Sequence, residues 1–216
     1  TTLNLDNVPK TKDGKVDYTK DFFKTLMKTT VSGQLEAEAA AKGLGKVFTF
    51  GRTFRAEHSE TSRHLAEFEM LEPECVFPQI DVEDRFSALL DLEEDMLRGA
   101  MRFVFDDTRC RPDLMFLDDA RGGRLAAKLQ SALSIPFQRI TYTEAIEVLT
   151  THKTHFENSD IVWGMDLASE HERFLCEKIY KRPTFVTHYP QDLKSFYMKA
   201  DIGCAPDRVT CQAVDL

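Results

Sequence analysis

The chain has 216 residues, 28 Lys and Arg against 36 Asp and Glu, a net charge of −8, and 42% hydrophobic and 30% charged residues. This balance suits one folded domain, with room for an inserted helical subdomain, and argues against a broad basic field for nucleic acid. No run of about 18 apolar residues and no charged-then-apolar leader occurs. Cysteines 75, 110, 176, 204 and 211 are scattered without a C-x-x-C pair, so reduced cytoplasmic thiols are expected rather than disulfides or zinc.

In chain order, residues 1–21 are polar, with Pro9, Gly14 and several lysines, and read as a surface loop. Ordered structure is expected from Phe22 to Met27. Ser32 suits the N-cap of a helix to about Lys42, with Gly43 and Gly45 as its stop. Gln34 falls in its first turn, and the alanines from 37 to 41 favour the helix and let another element pack close. Residues 47–77 read as two antiparallel strands around the polar loop 58–62. Residues 81–105 repeat apolar side chains at helical spacing behind a capping Asp81, and 121–133 predict a second helix before Pro136. Residues 137–141 alternate as a strand, and Thr143 is placed to cap a helix over 144–151. His152 and His155 read as solvated loop histidines. The run Ser169-Glu170-His171-Glu172 has the form of a capping box opening a helix to about Lys181. A short buried strand over 184–187 follows, then Lys194, Phe196 and Tyr197 on an extended segment, and a strand over 209–216. For Phe196 and Tyr197, core packing and a pocket-edge role both remain open.

The chemistry concentrates in 47–77. Side chains alternate faces along a strand. One face therefore carries Arg55, Glu57, Phe68 and Glu72, with Arg63 and His64 at the far end of the loop. Arginine grips phosphate or carboxylate with a planar fork, and an aromatic ring offers a platform for a base. The combination suits a nucleotide triphosphate beside an acid. The plainer alternative is an exposed sheet face whose charges pair across the strands.

The sequences FRAE at 54–57 and TSRHLAEF at 61–68 resemble motif 2 of the class II aminoacyl-tRNA synthetases, in the aspartate/asparagine subgroup. The blocks VSGQL at 31–35, FQRITYTEAIEVL at 137–149, and YP with KSFYM at 189–198 agree in order. The resemblance covers most of the chain and implies an α+β fold, an antiparallel sheet flanked by helices. Residues 1–216 are then a portion of the catalytic domain, with a helical insertion at about 81–133 and no anticodon-binding domain. The first and third family motifs are expected outside residues 1–216, so this portion alone is expected to be inactive.

The implied reaction is ATP-dependent activation of an amino acid to its adenylate, then transfer to tRNA. By resemblance Arg55 contacts the α-phosphate and the amino-acid carboxylate as the catalytic residue. Glu57 reads adenine, Phe68 stacks on it, and Arg63 or His64 holds the outer phosphates. Ser32, Gln34, Glu38 and Glu72 line the amino-acid pocket, and Asp215 helps hold Mg2+. The aspartate branch usually has Lys three places after this Gln. Here that position is Ala37, followed by Glu38, which suits asparagine, because an unpaired buried carboxylate is costly. The alternatives are an aspartate-specific enzyme or a non-catalytic synthetase-like module that binds an amino acid or a protein partner. Homodimerisation through a segment outside the chain and a cytoplasmic setting complete the expectation.

Overall fold

The computed structural model describes residues 8–56, 65–77, 82–157 and 159–216, with the backbone alone for 82–84. Contacts divide the chain into two compact units, Thr1–Ile80 and Asp81–Leu216, each taken by itself.

In the first unit, β1 (Lys46–Phe54) pairs antiparallel with β2 (Glu67–Cys75). Their register sets Thr49 opposite Glu72, Gly51 opposite Met70 and Thr53 opposite Phe68. These are the alternate positions expected to share a face. The helix α1 (Gln34–Leu44) packs on the hairpin through Ala37 and Ala41, which are buried. Small side chains at this four-residue spacing let the helix approach closely. Gly45, not Gly43, ends the helix: it adopts φ 84°, where a side chain would be strained, and its N–H returns to Ala41 O at 2.7 Å. The cap position belongs to Gly33 rather than Ser32, whose hydroxyl is committed to β2. Phe22 to Met27 form a turn and a bend followed by irregular chain, with their large apolar side chains exposed. Opposite the α1 side of the hairpin, Phe48 and Phe50 are 69% and 66% exposed.

In the second unit, β3 (Gln138–Thr141) and β4 (Thr184–Pro190) are parallel, and β5 (Thr210–Asp215) runs antiparallel to β4. The antiparallel pairs were expected; the parallel β3–β4 pair is an addition. Such a pair needs a long crossover, supplied here by α5 (Tyr142–Thr151) and α6 (Ser169–Phe174). One sheet face buries Ile140, Val186, Cys211 and Ala213 with Tyr142, Ala145, Ile146, Leu149 and Leu175. The other packs Phe185 and Val214 against Leu90, Phe86, Leu97 and Met101 of α2 (Val82–Asp106). This matches the helix expected over 81–105, although its Asp81 cap lies outside the described residues.

Three local expectations are corrected. The helix expected at 121–133 is α4 (Leu125–Ser134), and it is preceded by α3 (Arg111–Ala120), which the sequence reading missed. Gly122 and Gly123 sit at φ 78° and 72°, so the chain turns there. The buried Asp118 then receives the Leu125 and Ala126 N–H groups at 2.6 and 3.0 Å, capping α4 from outside. Thr141, not Thr143, caps α5 in a reciprocal box with Glu144, while the Thr143 hydroxyl accepts from Trp163 Nε1 at 3.1 Å. Ala168 occupies the cap of α6, its N–H donating to His171 Nδ1, and the helix continues as a π-helical turn through Leu175–Tyr180.

Candidate nucleotide and amino-acid site

The sequence-predicted residues of the first unit converge on one short segment. Residues 30–33 lie against the hairpin as a strap. Phe54 N–H donates to Thr30 O at 2.9 Å, and Arg55 Nε to Val31 O at 3.1 Å. The Ser32 hydroxyl donates to Glu72 Oε1, and Gly33 N–H to Glu72 Oε2 at 2.8 Å. Thr49, directly across the strands, donates its hydroxyl to the same Glu72 oxygen at 3.0 Å.

Glu72 is therefore a carboxylate held by three neutral donors, with Arg55 as the cation acting on it. Burial is the largest single influence and raises its pKa. The donors of Ser32, Gly33 and Thr49, with Arg55, outweigh burial and hold it below the ordinary glutamate value. Around it the potential is acidic. Glu74 is pushed up by burial and then by Glu38 and Glu72. Gln34 Nε2 donates to Glu38 Oε1 at 2.9 Å, one helical turn on.

Arg55 lies with its Cζ 5.6 Å from the centre of the half-buried Phe68 ring, and one terminal nitrogen rests 3.7 Å from Met70 S. A thioether is a weak acceptor that an anionic oxygen would readily replace. Arg55, Phe68, Glu72, Ser32, Gln34 and Glu38 thus fall on the strap, the first turns of α1 and the hairpin. Glu57, Arg63 and His64 lie outside the described residues.

Asp215 belongs to the second unit. Its Oδ2 accepts from Lys194 Nζ at 2.6 Å, and the same ammonium sits 3.9 Å from the Tyr189 ring centre. Burial, and then the Asp215 carboxylate, push the Tyr189 hydroxyl well above its ordinary range. Glu93 of α2 is raised by burial and then by Asp215, so the two acids feel each other. Among the described residues no three His, Cys, Asp or Glu side chains converge into a metal cluster. Asp215 alone, already paired with an ammonium, does not make a magnesium site from protein ligands. Phe196 and Tyr197 are 93% and 52% exposed and stack edge to face on each other, so they are not core. His152 and His155 lie against Phe174, with His152 Nδ1 2.8 Å from Val148 O. A half-open cleft of about 810 Å3 in the second unit, bounded by Phe86, Arg139, Thr187, His188 and Asp201, includes none of the predicted site residues.

The sequence reading gave no role to Thr49 or Gly33. The signal available was parity: Thr49 stands on the same strand face as Arg55.

Residues 11–216 match the family described as tRNA synthetases class II (D, K and N). The asparagine–tRNA ligase of Cytophaga hutchinsonii is 47% identical over all 216 residues, which make up 44% of that protein. That of Clostridium botulinum is 42% identical over the same span, again 44% of its length. Among solved structures, the asparaginyl-tRNA synthetase of Pyrococcus horikoshii complexed with asparaginyl-adenylate superimposes with TM-score 0.66 at 35% identity, over 84% of this chain and 37% of that one. The Entamoeba histolytica asparaginyl-tRNA synthetase in complex with asparaginyl-adenylate gives 0.59 at 29% identity, over 84% of this chain and 37% of its own. The chain thus spans less than half the length of the relatives it matches. With a family match across nearly its whole length, the chain belongs to the class II tRNA synthetases of the D, K and N group.

Proposed function

We propose that this chain is part of the catalytic domain of an asparagine–tRNA ligase, with 47–77 as the motif 2 hairpin and about 81–133 as its helical insertion. The full-length protein would activate asparagine with ATP to the adenylate and pass the acyl group to tRNA, working in the cytoplasm as a homodimer joined outside residues 1–216. The relatives' names and the two adenylate complexes support the substrate class. Five free cysteines suit the setting, and no described helix is long and apolar enough to cross a membrane.

In this reading Arg55 bridges the α-phosphate and the amino-acid carboxylate, exchanging its Met70 contact for phosphoryl oxygens. Phe68 stacks on adenine, Glu57 reads its amino group, and Arg63 and His64 hold the outer phosphates. Ser32, Gln34, Glu38 and Glu72 surround the amino acid. Catalysis is positioning plus stabilisation of charge as the carboxylate attacks phosphorus and pyrophosphate leaves. Magnesium would supply charge neutralisation on the phosphates. Asp215 is the residue proposed to meet it, and the ion would draw its other ligands from ATP and water.

The acidic ring around Glu72 carries the choice of asparagine over aspartate. Burial, and then the charges of Glu38 and Glu72, raise the Glu74 pKa, and position 37 holds a buried alanine. A carboxamide can donate to such acids. An aspartate carboxylate would be desolvated against like charge, which costs several kcal/mol. Pyrophosphate exchange by the full-length protein, at fixed ATP, should favour asparagine over aspartate by about a thousandfold or more. Equal or faster exchange with aspartate would replace this reading with the aspartate-specific one.

A further inference from the structure

We propose that Thr49 is a positioning residue for amino-acid recognition, acting through Glu72 and the Ser32–Gly33 strap without touching the substrate. This rests on the asparagine-activating reading above.

The argument begins with space. Gly33 has φ −97°, a conformation open to any residue, so no backbone need explains a glycine there. A Cβ added to it would lie 2.8 Å from Thr49 Oγ1 and 3.0 Å from both Thr49 Cβ and Cγ2. Glycine therefore allows a close approach of the strap to the Thr49 side chain. That approach lets Thr49 Oγ1 and Gly33 N reach the same Glu72 oxygen, at 3.0 and 2.8 Å. The Ser32 hydroxyl takes the other oxygen and also accepts Gln34 N–H at 3.1 Å, which ties the start of α1 to the same carboxylate.

Glu72 is thus the node joining the amino-acid segment to the hairpin, and Thr49 is its one donor from β1. Thr49 is half-buried, on the strand that leads to Arg55. Arg55 faces the carboxylate as its cation; Glu38 and Glu74 are the acids around it. In that acidic setting a neutral donor matters twice: it fixes the rotamer of Glu72 and favours its ionised form. Losing the hydroxyl would let Glu72 turn and protonate more easily, and the Gln34 end of the pocket would lose its reference point.

The test uses the full-length protein in asparagine-dependent pyrophosphate exchange. Thr49→Val keeps shape and removes the hydroxyl. Its KM for asparagine should rise about tenfold while KM for ATP stays within about twofold. The acid limb of its kcat/KM profile for asparagine should move to higher pH, a shift that loss of packing alone would not produce. Thr49→Ser, which keeps the donor, should restore both. Gly33→Ala, which drives Thr49 off the carboxylate, should show the same selective signature even if the valine variant folds poorly. The inference is overturned if Thr49→Val or Gly33→Ala keeps the parent KM and pH limb, or if asparagine and ATP are affected alike and serine restores nothing. If the unmutated protein gives no asparagine-dependent exchange, the functional reading fails first and this inference falls with it. Normal exchange with a silent Thr49→Val defeats the inference alone.

Discussion

The two units hold themselves together in opposite ways. The second buries apolar clusters on both faces of its sheet, with Tyr142, Leu149, Leu175, Phe185 and Cys211 showing essentially no exposure. In the first, the buried residues among those described are Asp21, Ala37, Ala41 and Thr53, while Phe48, Phe50, Leu35 and Leu44 stand exposed. Its order comes instead from strand pairing and from polar ties that meet at Glu72 and Arg55. Burial is non-directional and tolerates small shifts. A hydrogen-bonded carboxylate is directional and does not. The unit that carries most of the predicted site residues is thus the one whose geometry is set by directional contacts, as a site requiring sub-ångström placement demands. The exposed phenylalanines of the hairpin's outer face are the converse: little apolar surface has been used for stability there.

Breaking the comparison at its apolar end should have the largest effect. Leu175→Ala removes a fully buried side chain from the second unit's core and should cost about 2–5 kcal/mol of its stability. Denaturant unfolding of the full-length protein, with hydrogen exchange on β4 as the local reporter, checks this. A loss below about 1 kcal/mol would mean the core relaxes around the gap and does not dominate that unit.

Next is the polar end. Arg55→Lys keeps the charge but loses the planar fork, along with the Nε donor to Val31 O. Asparagine-driven pyrophosphate exchange should fall at least about 100-fold, near 2.7 kcal/mol in the barrier. The melting temperature should change far less than in Leu175→Ala. Near-parent exchange would remove Arg55 from the chemistry.

The smallest effect is acid sensitivity, and its sign follows from Glu72. Its pKa in the folded state is depressed, so the stabilisation is present above the ordinary glutamate value of about 4.3 and is lost as pH falls through the lower folded value. Hydrogen exchange corrected for intrinsic rates should therefore show the strap around Ser32 and Gly33 loosening under acid before β4 does. Loss of protection in both units together would show that the polar ties contribute nothing distinctive.

Much of this organisation was legible because its signals are local. The alternation along 47–54 and 67–75 placed Thr49, Phe68 and Glu72 on one face, and the register bears this out. The apolar period of α2 and the strands at 138–141 and 210–215 were equally readable. Caps were read less well. Ser32, Thr143 and Ser169 each have the chemistry of an N-cap, but Gly33, Thr141 and Ala168 hold the positions. In two of the three a distant partner claimed the better side chain: Glu72 took Ser32, and Trp163 took the Thr143 hydroxyl. The missed helix α3 has a proline near its start and an acid in its first turn, signals that were present but weak beside the longer α2.

The sequence by itself therefore determined the kind of chemistry: an arginine, an aromatic ring and carboxylates at alternating strand positions, in blocks whose order marks the family. Tertiary structure decided how those groups are held. The Glu72 node joins residues 40 positions apart in the chain to Ser32 and 23 apart to Thr49. No local propensity encodes such a meeting. It exists because α1 packs its alanine face on the hairpin and a glycine leaves room for the strap to close, and three donors then converge on one carboxylate.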